Sequence, residues 1–69
     1  MSLKSGITVI VTVFNKAKFI ENTLKSIEPQ MTKNVQLIIV DDGSSDDSKK
    51  KIKNFLKNKK YSFKFISKP

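Results

Sequence analysis

Two short runs of apolar, largely β-branched residues constrain the fold of this 69-residue chain more than any other feature. Ile7 to Phe14 is almost continuously apolar, and Val35 to Val40 repeats the pattern after an intervening polar segment. Such runs are typical of strands that are buried on both faces of a parallel sheet. The sequence therefore predicts two strands of a sheet that is covered on both sides.

A helix is predicted between these strands. Its apolar residues recur at spacings of three and four and so share one face: Phe19, Ile20, Leu24 and Ile27. Asn15 is a suitable residue to cap it. The helix must end near Glu28, because Pro29 lacks a backbone N–H and pushes the residue before it out of helical geometry.

A second helix and a third strand are predicted after Val40. Ser44 or Ser45 begins the helix, since the Ser44–Asp47 spacing resembles a capping box and Asp46 and Asp47 suit the positive end of the helix dipole. Its buried stripe is narrow and consists of Ile52, Phe55 and Leu56. Apolar and other residues then alternate from 61 to 66, as expected of a strand.

The order strand, helix, strand, helix, strand predicts an α/β fold with a three-stranded parallel sheet in the order 3-2-1. Crossovers between parallel strands are nearly always right-handed, so both helices are expected on the same face of the sheet. The other face would then lie bare, although the strands are apolar on both sides. We therefore expect residues 1–69 to be a truncated part of a larger domain, with 1–5 as a leader or disordered, and to self-associate through the bare face.

Composition excludes several classes of protein. The chain contains no cysteine and no histidine, so neither a disulfide framework nor a structural zinc site is available. The longest apolar runs are far shorter than the ~20 residues of a membrane-spanning helix, and the N-terminus lacks a signal-peptide layout. We expect a cytoplasmic protein without a membrane segment, the inner membrane face being the alternative for a full-length form.

The net charge of +8 is unevenly distributed. Residues 1–48 carry five lysines and six acids, whereas residues 49–69 carry nine lysines and no acid. Every basic residue is lysine, and arginine is the residue that usually makes bidentate contacts to phosphates and bases. A solvated surface therefore explains the lysines better than a nucleic-acid-binding patch does, and we expect no nucleic-acid partner.

The polar segments that follow the first two strands form the candidate functional site. In a parallel sheet, residues 12–15 and 41–44 meet at the carboxyl edge, where open α/β sheets bind ligands. Paired carboxylates at this place can accept hydrogen bonds from a ligand, hold a metal ion or cap a helix. The glycine at position 43 allows a sharp turn or a close approach to a ligand.

The stretches VIVTVFNKAKFIENTLKSI and QLIIVDDGSSDDS together resemble the opening of family 2 glycosyltransferases with the GT-A fold. In that family the first strand ends in a proline-or-threonine, any residue, tyrosine, asparagine pattern. The second strand ends in valine-aspartate-aspartate-glycine-serine. The resemblance covers roughly residues 6–69, and it implies that the chain is the first part of a GT-A Rossmann-like domain that binds a nucleotide-sugar.

The resemblance implies a role for each residue of the two motifs. Asp42 corresponds to the carboxylate that accepts the uracil imide hydrogen, a fitting role because an ionised aspartate is an acceptor only. Thr12 corresponds to a position that touches the nucleotide, and Phe14 to the usual tyrosine beside the uracil ring, without its hydroxyl. Asn15 is expected to brace the loop. The predicted nucleotide-binding residues are Thr12, Val13, Phe14, Asn15, Asp41, Asp42 and Gly43.

The same resemblance implies a parent enzyme that transfers a sugar from a UDP-sugar, with inversion, to a carbohydrate or lipid-linked acceptor hydroxyl. The family's divalent metal ion, Mn²⁺ or Mg²⁺, is held by an aspartate-any-aspartate motif that normally lies beyond position 69, and the general base lies further still. This chain is then expected to contain no catalytic residue and no metal ligand, and to be inactive alone.

Two other classes of protein share some of these features. A small basic nucleic-acid-binding module would explain Tyr61, Phe63 and Phe65 among the lysines, although these residues are spaced for burial. A phosphoacceptor signalling domain also has paired acids at the edge of a parallel sheet. Its acid pair follows the first strand, however, and here the first strand ends without an acid.

Overall fold

The computed structural model describes residues 6–69, and the predicted leader at 1–5 lies outside the described residues. Three strands and two α-helices alternate along the chain, as predicted. They are β1 (Ile7–Val13), α1 (Ile20–Ile27), β2 (Val35–Asp41), α2 (Ser48–Leu56) and β3 (Ser62–Ser67), with a 3-10 turn, Glu28–Gln30, after α1. The predicted β-α-β-α-β order is confirmed.

The sheet has the predicted order and direction. Its strands lie in the order β1-β2-β3, and both neighbouring pairs are parallel. Ile7 pairs with Val35 at the amino end and Val13 with Asp41 at the carboxyl end, so β1 and β2 are aligned over their whole length. β2 is the central strand, and the side chains of alternate residues along it, beginning with Val35, are buried.

Both helices pack on one face of this sheet. The core contains residues from both helices and from the two longer strands: Val13, Ile20, Leu24, Leu37, Ile39, Ile52 and Leu56. In α2, Ile52 and Leu56 are buried and Phe55 is half-buried, which confirms the predicted stripe. The apolar face of each helix is thus used entirely to cover one side of the strands.

The opposite face of the sheet is not covered by any described residue. Ile10 of β1 remains 63% exposed and Ile66 of β3 42% exposed, and Ile38 of β2 lies between their strands, half-buried. We call this surface, formed by Ile10, Ile38, Val40 and Ile66, the open face. Its apolar residues confirm that the strands carry hydrophobic side chains on both sides, although only one side is packed.

Helix α1 is shorter at its beginning than predicted. It begins at Ile20 and has no side-chain cap, so the prediction that Asn15 caps it is wrong. Phe19 was predicted to be in the buried stripe but is 60% exposed. At its other end α1 stops at Ile27, and Pro29 lies in the following 3-10 turn, as its missing N–H requires.

Helix α2 begins at Ser48 rather than at Ser44 or Ser45, and it too has no side-chain cap. The predicted capping box between Ser44 and Asp47 is therefore absent. The side chains of Ser44, Asp46 and Ser48 accept hydrogen bonds from the loop after β1, and Asp46 also accepts one from the N–H of Ser48. Hydrogen bonds between the two loops thus take the place of the predicted capping box.

A small polar cluster joins the end of α1 to the beginning of β3. The Glu28 carboxylate lies 2.8 Å from the Lys59 ammonium and accepts a hydrogen bond from the Tyr61 hydroxyl, also at 2.8 Å. The Lys59 ammonium lies 4.5 Å from the centre of the Phe55 ring. The hydrogen bond from the Lys59 side chain, followed by that from Tyr61, lowers the pKa of Glu28. Burial and the bond to this carboxylate raise the pKa of Tyr61.

None of the helices in residues 6–69 is long and apolar enough to cross a membrane.

Candidate functional site

The two predicted motif segments meet at the carboxyl edge of the sheet. Val13 and Asp41 are cross-strand partners, and the backbone N–H of Asp42 donates to the Val13 carbonyl at 2.8 Å. This bond continues the ladder to the last residue of β1. Phe14 and Asp42 therefore leave adjacent strands side by side.

Strand alternation divides the predicted site residues into a buried group and an exposed group. Val13 is 2% exposed and Asp41 is fully buried, both on the side of the helices. Thr12 is exposed on the opposite side of β1, Phe14 is 56% exposed, and the Asp42 side chain is 67% exposed. Thr12, Phe14 and Asp42 are thus accessible to a ligand, whereas the side chains of Val13 and Asp41 are not.

Asp41 holds the turn that follows β2. Its Oδ1 accepts hydrogen bonds from the backbone N–H of Gly43 at 3.1 Å and of Ser44 at 2.8 Å. Its Oδ2 is buried and has no hydrogen-bond partner among the described residues. Gly43 has a φ of 89°, which L side chains rarely adopt, and a Cβ there would lie 3.0 Å from the Pro69 carbonyl oxygen. The pair forms a rigid turn that presents the next carboxylate, that of Asp42, to solvent.

Asn15 braces the loop after β1, as the sequence predicts, but by contacts that sequence reasoning missed. It adopts a left-handed backbone conformation with a φ of 52°. Its side-chain Oδ1 accepts hydrogen bonds from the backbone N–H of Ser45 at 2.8 Å and of Asp46 at 3.3 Å. In return the Asn15 N–H donates to the Ser44 hydroxyl at 2.8 Å.

Two further bonds join the same loops. The N–H of Lys16 donates to the hydroxyl of Ser48 at 2.9 Å, and the N–H of Ala17 donates to Asp46 Oδ2 at 3.1 Å. Ser48 is fully buried. Hydrogen bonds from Ser48, the side chain first, together with the bond from the Ala17 N–H, lower the pKa of Asp46. Sequence reasoning placed Asp46 at a helix start, and only the serine- and aspartate-rich composition of 44–48 signals its wider bonding role.

The accessible side chains have a definite chemistry. The Asp42 carboxylate can accept a hydrogen bond from an N–H donor, and the neighbouring Phe14 ring offers an apolar face to a planar group. Lys68 Nζ lies 3.7 Å from Asp42 Oδ1, but both side chains are more than half exposed, so this pair is weak and easily displaced. The arrangement suits a flat, polar ring that presents an N–H.

In the part of the chain from 6 to 69, no group of three or more acidic, histidine or cysteine side chains is placed to hold a metal ion. The Asp41 carboxylate accepts a hydrogen bond from the backbone of its own turn, and the Asp46 carboxylate accepts one from the loop after β1.

The aromatic residues of the lysine-rich segment take part in packing. Phe65 is half-buried against the core, and Tyr61 is bonded to Glu28. Phe63 makes an edge-on contact with the Tyr61 ring at a centroid distance of 6.3 Å. Tyr61 and Phe65 are thus half-buried, as their spacing predicts, whereas Phe63 is 38% exposed despite its predicted burial.

Two open depressions of about 520 and 510 Å³ lie at the amino edge of the sheet and are lined by residues such as Gly6, Lys33 and Ser62. Neither includes a predicted site residue. The candidate site at the carboxyl edge is instead an exposed surface formed by the loops after β1 and β2.

Comparison with known proteins gives consistent matches. The family model of glycosyl transferase family 2 matches residues 8–69. The chain is 42% identical over 60 residues to the teichoic acid poly(glycerol phosphate) polymerase of Staphylococcus epidermidis, an alignment that covers 87% of this chain and 8% of that protein. It is 40% identical over 52 residues to the GalNAc(5)-diNAcBac-PP-undecaprenol beta-1,3-glucosyltransferase of Campylobacter jejuni, covering 75% of this chain and 17% of that protein.

A third similar protein is the glycosyltransferase GlyA of Streptococcus pneumoniae, 40% identical over 55 residues, which are 80% of this chain and 8% of that protein. No solved structure matches the chain significantly. The chain spans less than a fifth of the length of each of these relatives. Both motif segments fall within the region that the family model matches.

Proposed function

Because this chain belongs to glycosyl transferase family 2, we propose that it forms one wall of the uridine site of an enzyme that transfers a sugar from a UDP-sugar to an acceptor hydroxyl with inversion. The observation that supports this most directly is that the exposed Phe14 ring and the exposed Asp42 carboxylate belong to the residues that directly follow two adjacent parallel strands. The carboxyl edge is where α/β sheets bind nucleotides.

In this proposal the site residues divide into two roles. Asp42 accepts the uracil imide hydrogen, Phe14 packs against the uracil ring, and Thr12 contacts the nucleotide from the end of β1. In this proposal the side chains of Val13 and Asp41 do not contact the nucleotide, because they are buried under the helices. Asp41 and Gly43 shape the turn that orients Asp42. A substitution at Asp42 is therefore expected to affect binding, whereas a substitution at Asp41 or Gly43 is expected to affect folding.

The remaining parts of the reaction are proposed to lie on other residues of the parent protein. A divalent metal, Mn²⁺ or Mg²⁺, would stabilise charge on the leaving diphosphate, and the described residues offer no suitable ligand set for it. A general base would activate the acceptor hydroxyl. The acceptor is proposed to be a carbohydrate or a lipid-linked molecule, and the name of the Campylobacter relative includes GalNAc(5)-diNAcBac-PP-undecaprenol.

The proposal is tested by titrating UDP into isotope-labelled chain and following the backbone resonances by NMR. We expect shifts at Thr12, Phe14 and Asp42, with a Kd on the order of millimolar, because one wall buries little of the ligand. CDP is the matched control ligand, since the cytosine ring has no N–H at the position where uracil presents its imide hydrogen. Shifts confined to the lysines of α2, equal for UDP and CDP, would refute the site.

Two single substitutions distinguish a direct contact between Asp42 and UDP from a general effect of removing a negative charge. Asp42→Ala is expected to weaken UDP binding about tenfold or more, because it removes a charge-assisted hydrogen bond. Asp47→Ala removes the same charge from an exposed position nearby and is expected to leave the affinity within about twofold. Equal losses from both variants would contradict the assignment of Asp42.

A further inference from the structure

The strongest feature outside the proposed ligand contacts is the set of bonds between the loop after β1 and the loop after β2. We call these bonds the loop clamp; its members are Asn15, Lys16, Ala17, Ser44, Ser45, Asp46 and Ser48. Three consecutive backbone N–H groups donate to three side chains that lie about thirty residues further along the chain. The Asn15 side chain bonds in the opposite direction, so each loop holds the other.

The clamp includes an acceptor for the first N–H of α2, a helix that lacks a side-chain cap. The N–H groups at the beginning of a helix need acceptors, and a local side chain normally supplies them. Here Asp46 accepts from Ala17, just before α1, and through its other oxygen from the N–H of Ser48 at 2.9 Å, at the first residue of α2. One carboxylate therefore joins the segment that precedes α1 to the first residue of α2.

The clamp also stabilises an unfavourable backbone conformation. A non-glycine residue in the left-handed region costs about 1 kcal/mol, and such residues persist where their surroundings hold them. Asn15 has this conformation, and it immediately follows Phe14. Its side chain bonds to the loop that begins at Asp42. The backbone immediately after Phe14 is thus linked to the loop that carries the carboxylate.

We propose that Asn15 and Asp46 are positioning residues of the site, which fix Phe14 and Asp42 relative to each other without touching the nucleotide. This inference rests on the proposed function. Phe14 and Asp42 are both more than half exposed, so packing does not fix them, and loops that must be ordered on binding lose affinity. With the clamp intact that ordering is already present in the free chain.

Three substitutions at position 15 separate the roles of backbone and side chain. Asn15→Asp keeps an oxygen acceptor and tolerates the left-handed region, so it is expected to bind UDP within about twofold of the original chain. Asn15→Gly keeps the backbone freedom but loses the acceptor, and we expect UDP affinity to fall about tenfold. Asn15→Ala loses both and is expected to bind no better than Asn15→Gly.

Asp46 is tested with its neighbour as the control. Asp46→Ala is expected to weaken UDP binding about five- to tenfold, and Asp47→Ala, with the same loss of charge but no part in the clamp, by less than about twofold. The ratio of UDP to CDP affinity should fall in Asn15→Gly and Asp46→Ala, because a mobile Asp42 no longer selects the imide hydrogen. A general loss of stability would lower both affinities and leave their ratio unchanged.

A measurement on the free chain tests the clamp independently of the nucleotide. In NMR relaxation, the backbone order at Phe14 and Asp42 is expected to fall in Asn15→Gly and to be retained in Asn15→Asp, with helix content by circular dichroism confirming that both variants fold. If the original chain binds no UDP but this pattern holds, the proposed uridine site is wrong and the positioning role of the clamp stands. If Asn15→Gly leaves order and affinity unchanged, or Asn15→Asp loses as much as Asn15→Gly, the inference is overturned.

Discussion

At the residue scale, Asp41 is the member of the Asp41–Asp42 pair whose side chain stabilises the turn after β2. Its Oδ1 satisfies two backbone N–H groups, and the residue is fully buried. Asp41→Ala leaves both donors without a partner and is expected to lower the free energy of unfolding by about 2–3 kcal/mol. Asp41→Asn keeps one oxygen in place and is expected to cost clearly less. Urea unfolding measures both, and equal losses would contradict the role of Oδ1.

Gly43 allows a second test of the same turn. Gly43→Ala is expected to destabilise the chain by about 1–2 kcal/mol, because alanine resists a positive φ and its Cβ would approach the Pro69 carbonyl. Gly6→Ala is the matched control. A Cβ at Gly6 would lie 3.3 Å from the Asn34 carbonyl, but its φ is not in the left-handed region. If the two thermal midpoints fell equally, the backbone conformation of Gly43 would not be the cause.

At the scale of elements, the strands and helices could be predicted where many residues repeat one pattern. The helix starts could not be predicted, because there a single side chain can form any of several hydrogen bonds. The apolar periodicity located all three strands, the stripe of α2 and, apart from the exposed Phe19, the stripe of α1. Such a pattern is informative because many residues must be buried on the same face. The helix starts were placed wrongly because Asn15 and the 44–48 serines and aspartates suit local capping equally well. Bonds over about thirty residues outweighed the local ones, and no local pattern specifies them.

The same holds for the candidate site. The resemblance named seven residues, and strand alternation then decided which of them are accessible. Phe14 could equally have been core by composition, and only its position beyond the end of β1 leaves it exposed. Ser48 and Asp46 were missed as partners of the first loop, because their role depends on how close the two strand ends lie.

The cluster of Glu28, Lys59 and Tyr61 links the 3-10 turn to the segment before β3, and its pH dependence can be predicted. The folded state lowers the pKa of Glu28, so this contribution to stability is present above the ordinary pKa and is lost as the pH falls through the lowered one. Glu28→Gln is expected to flatten the decline of the thermal midpoint below about pH 4.3.

Glu21→Gln provides the control for this prediction, since it removes one carboxylate from α1 without touching the cluster. It is expected to leave the slope of the midpoint against pH close to that of the original chain. A profile of Glu28→Gln that overlaid the original profile through the acid range would show that the ion pair contributes nothing to folding.

At the scale of the whole molecule, the open face predicts association. Chains of this size bury only ~60% of the surface that their unfolded form exposes, and here an apolar sheet face remains uncovered among the described residues. We expect light scattering to show a mass that rises with concentration. Ile10→Lys, in the open face, should reduce this association.

Ile7→Lys is the matched control for that experiment. Ile7 is as exposed as Ile10, at 62%, but it lies at the amino end of β1 and on the other side of the sheet. The Ile7→Lys variant should therefore associate to the same extent as the original chain. A dispersed monomer at high concentration would contradict the prediction, and equal effects of the two variants would place the contact elsewhere.

The order of the strands in space is also their order in the sequence. Within residues 6–69, each new strand therefore adds to an edge that the preceding chain has already formed, rather than being inserted between two earlier strands. Among the described strands, β1 finds its partner when β2 is synthesised, from Val35 onward, and β3 finds its partner in β2. The sheet can thus grow in the direction of translation, one crossover at a time.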